Sequence, residues 1–356
     1  INLSALPENS VVVVHELTPS MTADIDKSDI VGIITETGGR TSHSAIIARQ
    51  LEIPAVLSVE NATQNIKNGD MCVVDGDKGE VHVNPDDKSL EKYRDKAKKL
   101  AEEKAALEVY RGKPTMTADG IKIQLVANIG NTNDAANAVE HDAEGIGLFR
   151  SEFLFKDSDE LPSEDEQFAA YQKVALAMKG KPVIIRTLDV GGDKDIPYLN
   201  MQKEDNPFMG FRAVRYCLNN PDQYKVQLRA LLRASAFGDV KIMLPLVTAL
   251  DEVRQAKELI ETCKHELDEE GVDYNKDIQV GTMIETPSAS LIADLLAKEC
   301  DFFSIGTNDL IGYTMCADRG NERVAYLYNV YQPSVLRSLK RIISEGNKAG
   351  IMVGMC

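Results

Sequence analysis

Polar side chains follow several short apolar runs in the C-terminal two-thirds of the chain, at the point where each run ends. They are Arg150, Arg186, Glu285, Asn308 with Asp309, and Cys356. Each of them alone is typical of a strand end that meets solvent. Because the carboxyl ends of the strands in a barrel meet at one face, which is where catalysis takes place, five such positions together indicate a shared site.

The residue types at these positions fit an anion and a divalent cation. Arginine presents a planar fork of donors that suits phosphate and carboxylate groups, so two or more arginines can form an anion clamp. Glu285 and Asp309 supply the hard oxygen ligands that Mg2+ prefers. Arg319 adds a cation in a following loop. Arg212 and Lys194 are further candidates, with a helix-surface arginine and a turn lysine as open alternatives.

A second candidate lies near the N-terminus, where Gly38 and Gly39 precede a predicted helix. Glycine lets the backbone turn tightly or approach a ligand, and Thr41 or Ser42 can cap the helix. In the first helical turn the dipole disfavours an imidazolium and favours a nearby phosphate. His43 is therefore a candidate phosphoryl acceptor, and a surface histidine at a helix start is the alternative. The remaining histidines are assigned structural or exposed roles: His15, His82, His141 and His265.

Composition excludes several classes of protein. The 356 residues include 40 lysines and arginines against 56 aspartates and glutamates, a formal net charge of -16. This balance argues against general nucleic-acid binding and against a basic membrane-surface protein. No apolar run approaches the roughly 20 residues of a membrane span, and no basic–apolar secretion signal opens the chain. The six scattered cysteines indicate free thiols in a reducing compartment, so we expect a cytoplasmic protein.

Residues 1–84 are predicted to form one small unit of short strands separated by glycine, asparagine and aspartate turns. The predicted strands span residues 11–14, 30–35, 55–59, 71–75 and 80–83, and a helix spans residues 42–51. Residues 85–114 are predicted to form a long linker helix. The segment 86–110 contains no glycine or proline, and its apolar residues recur near helical spacing.

Residues 115–356 alternate between strand and helix patterns. The predicted strands span residues 123–129, 145–149, 183–187, 241–247, 280–284, 302–305 and 351–355. Such alternation implies a parallel sheet. Seven strands in this length predict a (β/α)8 barrel that lacks its last unit, within an α/β chain. A doubly wound open sheet is the alternative that periodicity alone does not exclude.

Six motifs are spread along the chain. They are GGRTSHSAIIAR at 38–49, NPFMGFRAVR at 206–215, GTMIETPSAS at 281–290, DFFSIGTNDLIGYT at 301–314, ADRGN at 317–321 and GMC at 354–356. Together they resemble Enzyme I, the phosphoenolpyruvate-protein phosphotransferase family of the bacterial phosphoenolpyruvate:sugar phosphotransferase system. The resemblance covers essentially the whole chain. A dikinase- or synthase-type phosphoenolpyruvate enzyme, which shares looser versions of these motifs, is the alternative.

The resemblance implies a small swivelling phosphohistidine domain, a linker helix and a phosphoenolpyruvate-binding barrel. It also implies phosphoryl transfer from phosphoenolpyruvate to a histidine and then to the phosphocarrier protein HPr, the first step of sugar uptake phosphorylation. The implied roles are the phospho-acceptor His43, the substrate-binding residues Arg150, Arg186, Arg212, Asn308 and Arg319, the Mg2+ ligands Glu285 and Asp309, and the proton donor Cys356. A homodimer through the barrel is implied as well. Gly312 and Cys316 depart from the usual pattern, which puts details of specificity in doubt.

Because both ends look cut, we expect a fragment that lacks the HPr-binding insertion and the end of the barrel. Two other functions stay open. A barrel lyase or aldolase acting on a pyruvate-like enolate with Mg2+ predicts turnover that survives His43→Ala. A scaffold that receives phosphate from elsewhere predicts that Arg186→Ala leaves phosphorylation of His43 unchanged. The sequence does not distinguish the sugar system from its nitrogen-related paralogue.

Overall fold

The structure is a computed structural model that describes residues 3–22, 25–26, 28–39, 42–191 and 196–356, without the side chains of Ser4, Pro19 and His43. Thr41 and Lys194, which the sequence singles out, lie outside the described residues. The chain forms two compact units, residues 1–110 and residues 111–356. The domain boundaries after residues 84 and 114 stay a prediction.

The first unit is built on a small parallel sheet. Its strands pair in chain order and are β1 (Ser10–Val14), β2 (Ile30–Thr35) and β3 (Ala55–Val56). An antiparallel hairpin follows, made of β4 (Cys72–Asp75) and β5 (Glu80–Val83). Valine and isoleucine dominate β1 and β2, as suits a half-buried pleated surface. Their buried side chains pack with Leu17 and Ile47 into the core of this unit.

The helices of the first unit are α1 (Pro19–Thr22), α2 (His43–Leu51), α3 (Ala62–Asn65) and α4 (Asp87–Leu107). The last of these forms where the sequence predicts a long helix, and none of its residues is buried. Two polar contacts hold it to the hairpin. The Lys96 ammonium donates to Asp75 Oδ2 at 2.9 Å, and the Tyr93 hydroxyl lies 2.8 Å from His82 Nε2.

The second unit alternates strands with helices. Its strands are β6 (Ala127–Ile129), β7 (Ile146–Arg150), β8 (Val183–Arg186), β9 (Val240–Leu244), β10 (Val280–Ile284), β11 (Phe302–Ile305) and β12 (Met352–Met355). Its helices are α5 (Asp134–Glu140), α6 (Glu152–Lys156), α7 (Glu164–Ala177), α8 (Val214–Asn219), α9 (Pro221–Ala234), α10 (Leu250–Glu270), α11 (Pro287–Leu291), α12 (Ala293–Ala297), α13 (Thr307–Met315) and α14 (Pro333–Lys348). Across the described residues of the chain, no helix combines the length and the apolar character that crossing a membrane requires.

All seven strands of this sheet are parallel and pair in chain order from β6 to β12. Side by side in a flat sheet, the first and seventh strands would lie about 29 Å apart. Instead, Asn128 Nδ2 on β6 lies 3.5 Å from Cys356 Sγ, the residue that follows β12. The sheet therefore curls, which confirms the barrel and excludes the open doubly wound alternative.

Three predicted strands, 55–59, 123–129 and 241–247, are shorter than expected, since β3 covers Ala55–Val56 and β9 covers Val240–Leu244. The first barrel strand covers only Ala127–Ile129, because residues before it turn back on themselves through the antiparallel bridge between Met116 and Lys122. Helix α10 has Ala249 at its N-cap, and the Glu252 carboxylate accepts from the amides of Thr248 and Ala249 at 2.7 and 2.8 Å. Helix α7 begins with a capping box, in which the Ser163 hydroxyl accepts from the Glu166 amide and the Glu166 carboxylate accepts from the Ser163 amide.

Replacing Phe149 with alanine should lower the free energy of unfolding of the second unit by about 3–5 kcal/mol, since the cavity left behind cannot fully collapse. Phe149 on β7 is fully buried and packs edge-on against Tyr171, with ring centroids 6.0 Å apart. Urea titration measures the change. Leu176→Ala on the exposed face of α7 is the matched control, with an expected change below about 0.5 kcal/mol. Equal losses in both variants would contradict this view of the core.

Candidate active site

Arg186 ends strand β8 and is buried, with only 6% of its surface exposed. Its Nη2 donates to Glu152 Oε1 at 2.9 Å, and its Nη1 lies 3.4 Å from Asp189 Oδ2. The Asp189 amide donates to the same Glu152 oxygen at 3.1 Å. These contacts fix the guanidinium at the carboxyl-terminal edge of the barrel between two buried carboxylates.

Arg212 reaches the same place from the loop after β8. Its Nη2 donates to Asp189 Oδ1 at 3.1 Å and lies 3.6 Å from Asp309 Oδ2. Its guanidinium also covers the Phe208 ring at 5.2 Å from the centroid, a cation–π contact. Gly191 permits this approach, because a Cβ there would lie 2.6 Å from the Cβ of Arg212. Asp189 thus joins Arg186 and Arg212 into one fixed pair of cations.

The two arginines keep their charge despite burial. Burial opposes the charge on Arg186, but the carboxylates of Glu152, Asp189 and Glu285 outweigh it and raise its pKa. Burial likewise opposes the charge on Arg212, and Asp189 heads the groups that raise its pKa. Among the described residues, the buried Nε atoms of Arg186 and Arg212 have no hydrogen-bond partner. Two charged, orphaned donors of this kind suit an anionic ligand.

Glu285 directly follows β10 and is only 2% exposed. The Leu246 amide donates to its Oε1 at 2.6 Å, which fixes the carboxyl group. Burial, together with the charges of Asp309 and Asp189, raises the pKa of Glu285 to about 8. Burial and the two neighbouring carboxylates therefore favour the protonated, neutral form of Glu285 until a cation binds beside it.

Asp309 lies in the first turn of α13, with 26% of its side chain exposed. In the described part of the chain, no group of three or more His, Cys, Asp or Glu side chains could hold a metal ion. Mg2+ needs only one or two carboxylates when substrate and water complete its shell. The raised pKa of Glu285 and the hard oxygens of both residues therefore fit Mg2+ at this pair.

Gly306→Ala should weaken Mg2+ binding about 10- to 100-fold, the range found when groups that orient metal ligands are changed. A Cβ at Gly306 would lie 2.5 Å from Glu285 Oε2 and 2.8 Å from the Cβ of Glu285, so the carboxyl group must move. Calorimetric titration with Mg2+ measures the affinity. Gly76→Ala is the control, since a Cβ there meets atoms no nearer than 3.6 Å. Unchanged affinity in Gly306→Ala would argue against Glu285 as a ligand.

The remaining barrel residues of the prediction are exposed at the same edge. Arg150 is the last residue of β7, and Arg319 lies in the loop after α13. Asn308 is the second residue of α13, and its carbonyl accepts from the Tyr328 hydroxyl at 2.8 Å. Cys356 follows β12, and its amide donates to Ile305 at 3.0 Å. Asp189 joins Arg186 to Arg212, and Arg212 lies beside Asp309, whereas these four residues have other neighbours.

His43 is the first residue of α2, as the glycine-rich motif predicts, and its side chain is outside the part that the structure describes. Ser42 is the N-cap, and its hydroxyl accepts from the Ala45 amide at 3.2 Å. Gly38 has a φ of 110°, a conformation that favours glycine, and a Cβ there would lie 2.8 Å from Ser42 Oγ. The glycine therefore lets the loop pass close to the cap.

Sequence reasoning missed three parts of the site. Glu152 and Asp189 are buried acids, each within three positions after a predicted strand-end arginine, and that spacing is the signal that could have found them. Phe208 and Tyr313 stack with centroids 4.2 Å apart and planes 13° apart. No sequence signal links this pair, because 105 positions separate its members.

Known protein families match both parts of the chain. The family model of the PEP-utilising enzyme, PEP-binding domain, matches residues 104–356, and that of the PEP-utilising enzyme, mobile domain, matches residues 6–79. Over 355 residues, the chain is 50% identical to a phosphoenolpyruvate-protein phosphotransferase of Priestia megaterium and 51% identical to one of Geobacillus stearothermophilus.

A phosphoenolpyruvate-protein phosphotransferase of Staphylococcus carnosus is 49% identical. In each comparison the match covers 100% of this chain but only 61% or 62% of the relative, so the chain spans less than two-thirds of these proteins. The PEP-binding model alone covers more than half of the chain and contains every barrel residue described above. The chain belongs to the family of PEP-utilising enzymes.

Proposed function

We propose that this chain transfers the phosphoryl group of phosphoenolpyruvate to His43, and that the phosphohistidine then passes it to the phosphocarrier protein HPr. The observation that carries the proposal is the pair of buried arginines, Arg186 and Arg212, tied to one carboxylate beside Glu285 and Asp309. The name of the relatives, phosphoenolpyruvate-protein phosphotransferase, supports both the donor and a protein acceptor.

The arginines would bind the donor through its two anionic groups. Phosphoenolpyruvate carries a phosphate and a carboxylate, and both accept the forked donors of arginine. Substrate oxygens would supply the acceptors that the Nε atoms of Arg186 and Arg212 lack within the described residues. At the exposed rim, Arg150, Arg319 and Asn308 would complete the clamp. Positive groups fixed in a buried site stabilise the negative charge that spreads over the phosphoryl group during transfer.

Glu285 and Asp309 would hold Mg2+. When bound, the ion supplies positive charge beside the phosphate and carboxylate oxygens. The chain prepares the site, since the Leu246 amide orients Glu285 and the lack of a side chain at Gly306 leaves room for it. Ionised Glu285 is the form that binds a cation, so binding would release a proton at neutral pH.

The reaction would use one nucleophile and one acid. A nitrogen of His43 attacks phosphorus in line, the new N–P bond forms, and the bond from phosphorus to the bridging oxygen breaks to release the enolate of pyruvate. Cys356 then gives its S–H proton to the methylene carbon, which becomes the methyl group of pyruvate, and sulfur is left as a thiolate. A thiol S–H group placed beside the carbon can act as this acid.

The biological setting is proposed from the resemblance to Enzyme I alone. There the transfer to HPr is the first step of sugar uptake phosphorylation in the cytoplasm, carried out by a homodimer that associates through the barrel. Sedimentation analysis of the protein with and without Mg2+ tests the assembly.

Exchange of labelled pyruvate into phosphoenolpyruvate tests the reaction, because reversible transfer through His43 requires it. We expect exchange in the presence of Mg2+, its loss in His43→Ala, and its retention in His265→Ala, which changes an exposed histidine of α10. Turnover of phosphoenolpyruvate that survives His43→Ala would favour the lyase or aldolase alternative. Phosphorylation of His43 by another donor, without exchange, would favour the scaffold.

A further inference from the structure

The contact between Asn128 and Cys356 joins the two ends of the curled sheet. Asn128 is the middle residue of β6, Cys356 follows β12, and 228 positions separate them. The Asn128 amide nitrogen lies 3.5 Å from Cys356 Sγ, and the thiol lies 3.7 Å from the amide oxygen. Sulfur therefore faces both a donor and an acceptor of one side chain.

The backbone of Cys356 is held separately from its thiol. Its amide donates to the Ile305 carbonyl at 3.0 Å, and its own carbonyl accepts from the Thr307 hydroxyl. These two contacts fix the Cα position against β11 and the start of α13. The direction of the S–H group is left to Asn128, whose side chain is exposed and adds nothing to the apolar core.

We propose that Asn128 is a positioning residue for proton transfer by Cys356, an inference that rests on the proposed function. Before transfer, the Asn128 oxygen accepts a hydrogen bond from the S–H group of Cys356. This contact holds the proton at the edge of the barrel where the enolate forms. During transfer the S–H bond breaks, the C–H bond forms at the methylene carbon, and the electron pair stays on sulfur. The Asn128 N–H then donates to the thiolate.

A hydrogen bond to a charged group contributes more than one to a neutral group, so Asn128 favours the thiolate over the thiol. It thereby eases departure of the proton without touching phosphoenolpyruvate. Loss of Asn128 should therefore lower kcat, because protonation slows. It should leave KM unchanged, because the arginines still bind the substrate.

Two substitutions test this role in the full chain. Asn128→Ala removes donor and acceptor, and should lower kcat for pyruvate formation about 10- to 100-fold with KM for phosphoenolpyruvate within about twofold. Asn128→Asp keeps the shape but places a negative charge beside the thiolate, so its kcat should be lower still. Asn137→Asp on the exposed face of α5 makes the same charge change away from Cys356, and should resemble the parent.

Two further readouts separate this role from a structural one. At fixed pH, iodoacetamide alkylation of Cys356, followed on its own peptide by mass spectrometry, should slow about tenfold in Asn128→Ala and more in Asn128→Asp. The solvent deuterium effect on pyruvate formation should rise as protonation becomes rate-limiting. Unchanged alkylation and kcat in both variants, with the parent active, would overturn the role of Asn128 alone. Asn128-dependent alkylation in a parent that does not use phosphoenolpyruvate would overturn the proposed function instead.

Discussion

Replacing Arg186 with methionine is expected to reduce phosphoenolpyruvate-dependent phosphorylation of His43 about a thousandfold. This arginine is buried, keeps its charge through Glu152 and Asp189, and has an Nε atom without a hydrogen-bond partner among the described residues. Removing a fixed charge that faces a developing charge lowers catalytic rates by about 10²–10³. Loss of substrate binding adds to that effect. The rate is measured by quenched flow with radiolabelled phosphoenolpyruvate.

Loss of folding must be separated from loss of catalysis in this variant. Methionine leaves the Glu152 and Asp189 carboxylates without their shared cation, and breaking a buried ion pair in this way costs about 3–5 kcal/mol. The double variant Glu152→Gln, Arg186→Met removes the charge of Glu152, while Asp189 keeps its contact with Arg212, and should recover stability but not activity.

A surface arginine provides the matched control. Arg254 on α10 pairs with Glu299 at 2.7 Å, and its side chain is 58% exposed. Arg254→Met should leave phosphorylation of His43 unchanged. If Arg186→Met has native stability and phosphorylates His43 at the rate of the parent, the pair Arg186 and Arg212 has no role in phosphoryl transfer.

Glu285→Gln is expected to abolish Mg2+ binding and to lower phosphorylation by two to three orders of magnitude, as expected for loss of a group that stabilises transition-state charge. The same change should stabilise the metal-free protein, because burial and the neighbouring charges of Asp309 and Asp189 disfavour ionised Glu285. Opposite effects on activity and stability distinguish a metal ligand from a residue that only supports the fold.

The stability of the metal-free protein should fall as the pH rises. The pKa of Glu285 is about 8 in the folded protein and about 4.3 in an unfolded chain. Between these values the folded state holds a proton that the unfolded state releases, so stability falls as pH rises through this window. The difference in Tm between Glu285→Gln and the parent, without metal, should therefore widen from pH 5 to pH 8. A constant difference, or undiminished Mg2+ binding by the variant, would contradict the assignment.

Much of the second unit could be predicted because the carboxyl ends of parallel strands all lie at the same edge of a sheet. Arg186 and Glu285 were recognisable from sequence, since each directly follows an apolar run that forms a strand. The register of neighbouring strands brings such positions to one edge whatever the loops do. A separate rule, the preference for Ser and Thr at helix N-caps, predicted Thr41 or Ser42 before the first helical residue, and Ser42 is the N-cap of α2.

The partners of those residues could not be predicted, because they depend on loop paths and side-chain directions. Asp189 joins Arg186 to Arg212, which comes from a loop 23 positions later. Glu152 faces Arg186 from the helix after another strand. The contact of Asn128 with Cys356 requires the curl of the whole sheet, which periodicity does not encode.

The most direct test of the central claim is the site of phosphorylation. The full chain is incubated with phosphoenolpyruvate and Mg2+, digested at neutral pH, and its acid-labile phosphopeptides are mapped by mass spectrometry. We expect a single phosphorylated histidine, His43, and no phosphorylation of His43 in Arg186→Met. A phosphoryl group on any other residue, or none on a protein that binds phosphoenolpyruvate and Mg2+, would contradict it.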